Sequence, residues 1–215
     1  MIRTDNIEVI THSCIRIRTE SGTVYFDPFH MKEKLHDADY ILITHDHYDH
    51  FSPEDIAGIL KTGTVVVVPE GMKQKAEKEL PGGTEIAAVK PGESCRVGEL
   101  EFETVASYNR LKPFHPKSAG WVGYVLKIEG LRIYVAGDTD ATKEAEQVKC
   151  DIALVPVGGT YTMNASQAAA LINTIQPSAA IPTHYGSVVG TEKDAEVFRT
   201  NVSPSVAVEI KMQTR

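Results

Sequence analysis

Residues 40–54 read YILITHDHYDHFSPE, and no other stretch constrains the chain as tightly. Tyr40–Thr44 is a near-continuous apolar run, the pattern of a strand buried on both faces of a sheet. Ser52-Pro53-Glu54-Asp55 carries a helix start, with serine as N-cap, proline at the first helical position and acids in the first turn. Between them lie His45, His47, Asp49 and His50, four potential ligands in six residues, held at both ends by rigid elements. Three of the chain's 8 histidines in one hexapeptide is not the composition of an ordinary solvated turn. Neutral imidazole and a carboxylate suit a divalent zinc, iron or manganese ion, and zinc is the expected one. Four ligands this close cannot all surround one tetrahedral ion comfortably. The natural arrangement is two ions, with His45 and His47 on one and Asp49 and His50 on the other. Such a pair needs further ligands, and Asp138 and His184, each at the end of an apolar strand, are the candidates.

Strand and helix signals alternate along the rest of the chain. Residues 14–18 and 23–27 alternate around Ser21-Gly22 as a hairpin. A helix is expected over 53–61, a buried strand over 65–68 and a solvated helix over 71–80. Strands follow at 85–89, 94–97 and 100–106. Residues 108–120, with two prolines and no periodicity, read as a long functional loop. A hairpin over 121–128 and 131–136 comes next, then a helix over 142–148. The last third alternates strand and helix: 152–157, 166–175, 179–182, 193–200 and 205–211. No low-complexity linker divides the halves, so residues 1–215 are expected to form a single domain. Strands flanked by helices in both halves predict an α/β fold in which two mixed sheets pack face to face with helices outside, a four-layer αββα sandwich.

Composition narrows the partners. A net charge of -7 with no basic block lacks the footprint of a nucleic-acid binder. No apolar run is long enough to span a bilayer, and the N-terminus has no apolar core of signal-peptide length. Cys14, Cys95 and Cys150 are an odd number without CxxC spacing, so no disulfide framework is expected and the reducing cytoplasm is the default location. A small-molecule substrate is expected. An anionic one stays open because a metal reverses the local field, with Arg110, Lys112 and Lys117 of the long loop as candidate cationic groups. Homo-oligomerisation also stays open.

The segments THDHYDH, GDT and PTHYG, in that order, resemble the metallo-β-lactamase superfamily. VPVGGTYTMNASQAA and FHPKSAGWVGY are similar to its small stand-alone metal-dependent hydrolase branch, related to ascorbate-phosphate lactonase-like and N-acylphosphatidylethanolamine phospholipase-like proteins. The resemblance covers essentially the whole chain. It implies an αββα sandwich, a site between the sheets at one edge, and hydrolysis of an ester, lactone or phosphodiester by metal-activated water. It also implies that Asp138 bridges two ions, that His184 completes the second position, and that Asp27 supports a metal-binding histidine. Asp49 is then both ligand and catalytic residue, holding the nucleophile and passing a proton to the leaving group.

The chain departs from that pattern at one point. Where relatives carry a third histidine for the first metal, in a segment like PAFHS, this sequence reads VASYN, so Asn109 takes the histidine's place. Three outcomes stay open: Asn109 lines the site, His115 swings in from the loop as a replacement ligand, or the first position is weak or empty. The last would leave a single-metal protein or a non-hydrolytic metal-binding or sensing module. Tyr161 and Tyr185 are candidate donors to a developing oxyanion. His12 is either a partner to the metal ligands or a buried histidine. Asp46 and Asp140 are expected to point away, Trp121 either to roof the pocket beside the long loop or, the favoured reading, to be a core aromatic on a strand, and His30 and His36 to lie on the surface. Gly158-Gly159 is either a turn or a close approach to substrate.

Overall fold

The computed structural model describes residues 4–214. The first half runs β1 (Ile7–Thr11), β2 (Cys14–Thr19), β3 (Gly22–Phe26), β4 (Ala38–Leu42), α1 (Pro53–Ile59), β5 (Leu60–Pro69), a 3-10 turn, α2 (Lys73–Glu79) and β6 (Glu85–Val89). The second half runs β7 (Ser94–Val97), β8 (Leu100–Ala106), β9 (Val122–Ile128), β10 (Leu131–Val135), α3 (Lys143–Glu146), β11 (Ile152–Pro156), α4 (Ala165–Ile175), β12 (Ala179–Thr183), α5 (Glu192–Asn201), β13 (Ala207–Val208) and β14 (Met212–Thr214). They make two mixed seven-stranded sheets, ordered β14-β1-β2-β3-β4-β5-β6 and β13-β12-β11-β10-β9-β8-β7.

The period of two along each strand sorts side chains into three apolar layers. Val24, Phe26, Leu42 and Val67 face the second sheet, where Phe102, Tyr124, Leu126 and Leu154 meet them. Their neighbours Tyr25, Ile41, Val66 and Val68 face outward onto Ile56 and Ile59 of α1 and Ala76 of α2. On the other side Ala153, Val155 and Ala180 pack under Leu171 and Ile172 of α4 and Phe198 of α5. Strands buried on both faces explain the unbroken apolar runs in the sequence. The result is the expected four-layer αββα sandwich.

Two boundaries differ from the sequence reading. The 53–61 helix stops at Ile59, because Leu60 already pairs with Ala38 and begins the next strand. The single strand expected over 205–211 is two strands in different sheets. β13 continues the second sheet beside β12, whereas β14 crosses back to run parallel to β1 in the first. Glu209 and Lys211, in the crossing, are held by Thr4: the Thr4 hydroxyl donates to Glu209 at 2.6 Å, and Lys211 Nζ donates to the Thr4 carbonyl at 3.0 Å.

β1, β3, β4 and β5 all run one way in the first sheet, and β8, β10, β11 and β12 run one way in the second. Their C-terminal ends meet at one edge of the sandwich, where the His184 N–H donates to the His12 carbonyl across the sheets at 2.8 Å. Gly123 of β9 shows how closely the frame is packed. A Cβ there would lie 2.7 Å from the Ala136 carbonyl oxygen and 2.8 Å from that of Val135, both backbone atoms with little freedom to yield. Gly123→Ala is therefore expected to destabilise the protein by ~1–3 kcal/mol through overpacking. A lowered urea midpoint with an unchanged slope checks this.

Candidate metal centre

Five of the chemistry-bearing side chains sit within three residues of a strand end. His12 directly follows β1, Asp27 β3 and His184 β12, His45 follows β4 with Ile43 and Thr44 between, and Asp138 lies three residues past β10. His12, Asp27 and His184 adopt left-handed backbone conformations, with φ of 47°, 43° and 57°. Such non-glycine residues cost conformational energy and persist where the surroundings impose them. The turn at His184 needs Gly158 beside it, since a Cβ there would meet the His184 carbonyl at 2.4 Å. Of the two readings of Gly158-Gly159, a turn or a close approach to substrate, the structure shows a close approach of Gly158 to the chain's own backbone.

Within the HDHYDH loop, side chains part into two groups. His45 Nε2 and His47 Nδ1 are 3.1 Å apart, and His115 joins them, all three donor atoms lying within 4.8 Å of one another. Two nitrogens bound tetrahedrally at ~2.0–2.1 Å to one zinc stand ~3.3 Å apart, so this spacing matches a shared ion. The second group is Asp49, His50, His184 and His12, again within 4.8 Å. Asp138 lies between the groups. Its Oδ2 is 3.3 Å from His115 Nε2 and 2.9 Å from His184 Nε2, and its Oδ1 is 3.3 Å from His50 Nε2. Of the three readings of Asn109 and His115, the structure shows the loop histidine turned inward, with Asn109 behind it.

The nitrogens facing this space are buried but lack hydrogen-bond partners among the described residues: His50 Nε2, His115 Nε2 and His184 Nε2, together with Asp138 Oδ1. Buried polar atoms left unpaired are costly, and a convergent set of them fits a bound cation. Several of the opposite ring nitrogens are tied. His50 Nδ1 donates to Asp27 Oδ2 at 2.6 Å, and His45 Nδ1 to Thr44 Oγ1 at 2.9 Å. The Thr44 hydroxyl passes its own proton to Asp27 Oδ2 at 2.7 Å, and Asp27 Oδ1 takes the Thr44 N–H at 2.8 Å. One buried carboxylate thereby sets the tautomer and orientation of an imidazole in each group.

Burial pushes His12 down to about 4 and His45 well below the usual histidine range, so both rings are neutral donors at pH 7. Burial works against charge on Asp49 too, but the His12 hydrogen bond and the nearby His50 outweigh it and hold the carboxyl at about 2. Asp138 likewise lies well below the usual carboxylate range, because His184 and His50 outweigh its burial. His50 is lifted to about 9, since Asp138, Asp27 and Asp49 outweigh its burial. Without a cation, a proton on His50 balances these carboxylates; a cation takes over that task and displaces it.

A model of the beta-lactamase superfamily domain matches residues 6–184. A UPF0173 metal-dependent hydrolase of Methanosphaera stadtmanae is 30% identical over 93% of this chain and 92% of its own. The chain belongs to this hydrolase family of the β-lactamase superfamily. A crystal structure from Parabacteroides distasonis, assigned to the metal-dependent hydrolases, superposes with a TM-score of 0.79 at 30% identity, covering 96% of this chain and 93% of that one. Igni18, a metallo hydrolase of Ignicoccus hospitalis, shares the fold with a TM-score of 0.79 at 20% identity, covering 97% and 95%.

In this hydrolase the metal-binding cluster opens into a cavity of about 230 Å³ lined by His47, Tyr48, Asp49, Phe114, Asp138, Tyr161 and Val188. Tyr161 lines it as expected. Tyr185 does not: its ring is buried in the layer between the second sheet and α4–α5. Trp121 is not a core aromatic either; its ring stands 5.1, 5.0 and 5.4 Å from those of His45, His47 and His115. Lys112 and Lys117 are not free for an anion, being bound to Asp140 at 2.7 Å and Glu144 at 2.6 Å. Asp46 and Asp140 point away from the cluster, each toward a lysine, and His30 and His36 are exposed. Sequence reasoning missed Thr44, Tyr48, Phe114 and Val188. Thr44 had a readable signal, a hydroxyl directly before the first ligand, whereas the other three depend on loop conformation.

The raised His50 makes a pH prediction with a definite sign. A folded-state pKa of about 9 against an ordinary 6.5 gives stability that is complete below pH 6.5 and lost as pH rises through 9. Chelator-treated protein is expected to lose stability across that window in denaturant titrations. Asp27→Asn, which removes one source of the lift, flattens the loss.

Proposed function

We propose that the protein hydrolyses a small, uncharged carboxylic ester or lactone at a two-cation centre, with zinc the expected ion. The observation that carries this reading is the placement of Asp138, within reach of both donor groups and on the wall of the cavity. His45, His47 and His115 would hold one cation, Asp49, His50 and His184 the other, with Asp138 shared. Divalent cations held there lower the pKa of water from ~15.7 to ~7 and polarise a carbonyl oxygen, which supplies a nucleophile at neutral pH.

The chain's own groups do the rest. His12 Nε2 lies 3.2 Å from Asp49 Oδ2, and as a neutral ring it donates there and fixes the carboxylate. Asp49 is ionised throughout the physiological range and lines the cavity. It is the group placed to take the proton of the attacking water and return it to the leaving oxygen. Tyr161, on the same wall, is the candidate donor to the developing oxyanion. Phe114 packs edge-on against Tyr161, with ring centroids 4.8 Å apart, giving the substrate an aromatic wall.

A phosphodiester is the weaker reading. Among the described residues no lysine or arginine lines the cavity, and the loop lysines are spent on Asp140 and Glu144. The non-hydrolytic alternative drew its support from an incomplete first position, and the approach of His115 to His45 and His47 removes that support.

Asp49→Ala and His184→Ala are expected to lose bound metal and to cut nitrophenyl ester hydrolysis by ~100-fold or more. The wild type should turn over nitrophenyl acetate faster than bis-nitrophenyl phosphate. Full ester turnover by Asp49→Ala, verified metal-free by mass spectrometry, would overturn the mechanism. Faster cleavage of the phosphodiester would overturn the substrate class.

A further inference from the structure

The loop over 108–120 carries His115 into the cluster, and it re-enters the fold beside the HDHYDH turn, where the Val122 N–H donates to the Thr44 carbonyl at 3.1 Å. What holds it there is a compact set of contacts. The Asn109 N–H donates to the His115 carbonyl at 2.8 Å, closing the loop on itself. Asn109 Oδ1 faces His115 Nδ1 at 3.0 Å, while Asn109 Nδ2 donates to the Tyr161 carbonyl at 2.9 Å. The second contact decides the first. A carbonyl only accepts, so the amide must turn its nitrogen to Tyr161 and its oxygen to His115. The amide oxygen also only accepts, so His115 must carry its proton on Nδ1. In the neutral ring Nε2 is then left with a free lone pair, aimed at His45, His47 and Asp138. Both residues are buried, His115 at 1% exposure and Asn109 at 7%.

Asp140 anchors the same loop from the turn that bears Asp138. Its Oδ2 accepts the Arg110 N–H at 2.9 Å, and its Oδ1 accepts Lys112 Nζ at 2.7 Å. Lys112 Nζ also reaches the Thr162 carbonyl at 2.5 Å. The shared carboxylate and the loop histidine are thus carried on backbone segments that are bolted together.

We infer that Asn109 is the positioning residue of a relocated ligand: it stands at the strand-end place, and by fixing the tautomer and direction of His115, six residues on, it sets the cation affinity of the His45–His47–His115 position alone. The inference rests on the proposed two-cation reading and deepens it. The other position owes its order to Asp27 and His12, neither of which touches the loop. Loss of the Asn109 amide therefore acts on one position and leaves the other intact.

The chain's single tryptophan provides a local reporter, because the Trp121 ring meets the three imidazoles of this position tilted or edge-on, with centroids 5.0–5.4 Å away. The test is titration of chelator-treated protein with Co²⁺, read by Trp121 fluorescence, together with zinc stoichiometry by mass spectrometry. Wild type is expected to take up two equivalents. His115→Ala should retain one, with Trp121 quenching largely lost. Asn109→Ala should weaken one of the two equivalents by ~10–100-fold. Asn109→Asp keeps an acceptor for His115 Nδ1 but sets a carboxylate oxygen against the Tyr161 carbonyl, and it should recover part of the affinity that Asn109→Ala loses. Circular dichroism of the cation-free variants separates misfolding from a binding effect, and the Asn109→Asp rescue holds even where Asn109→Ala folds poorly. Two unchanged equivalents in His115→Ala, or equal losses in Asn109→Asp and Asn109→Ala, overturn this inference and leave the two-cation reading standing. A wild type that takes up no cation overturns that reading itself.

Discussion

The centre depends on the two sheets being stitched together at one end. The His184 N–H reaches across to the His12 carbonyl at 2.8 Å, the Val122 N–H to the Thr44 carbonyl at 3.1 Å, and the Tyr124 hydroxyl to the Ile43 carbonyl at 2.7 Å. Each contact joins an element of the second sheet to the first, next to a residue of the cluster. Apolar packing between sheets is non-directional and tolerates sliding by fractions of an ångström. Hydrogen bonds between backbone segments do not, and a metal centre needs its donors placed to within roughly 0.5 Å. The seam converts a generic sandwich into a frame on which ligands from both halves share one register.

That register is held against opposing forces. Three wholly or nearly buried carboxylates, Asp27, Asp49 and Asp138, crowd into one volume with six histidines, five of them buried. His12, Asp27 and His184 sit in left-handed backbone at the same place. Such a cluster lowers the stability of the cation-free chain, because like groups face one another and several lone pairs lack partners. The surrounding layers hold it in place: continuous apolar strands and helices whose N-caps are satisfied, as at Ser52 for α1 and Asn164 for α4. Stability in this fold sits in the outer and middle layers, and the edge between them bears the strain that the chemistry requires.

The frame was largely legible from sequence. Periodicity located nearly all of the sheet, and the HDHYDH spacing picked out its chemical edge, because both are local patterns. The misses were non-local. β14 could not be separated from β13, since its place beside β1 depends on a crossing held by Thr4, some two hundred positions away. His115 and Asn109 were both candidates, but sequence could not say that they act as a pair, one facing the cluster and one orienting it. That division depends on the Tyr161 carbonyl, which fixes the amide from behind. Tyr185 illustrates the reverse error. Adjacency to His184 in sequence suggested adjacency to substrate, but successive residues leave a strand end in different directions, and the ring went to the helix-side layer.

A division of labour follows from where the groups are rooted. The donors His45, Asp138 and His184 stand at or just beyond strand ends, whereas Tyr48, Phe114, Tyr161 and Val188, which shape the cavity, come from loops. Changes at the loop aromatics can remodel the cavity without disturbing the seam. Two loops break this separation: in the HDHYDH loop Tyr48 lies between His47 and Asp49, and the 108–120 loop carries His115. His115 belongs to the cluster and adjoins Phe114 in a loop that also shapes the cavity. In this chain, unlike one with every ligand on a strand end, remodelling the substrate wall and retuning the first cation position are not independent moves. Tolerance to substitution should therefore be lower between Asn109 and His115 than around Val188, although both segments line or support the same cavity.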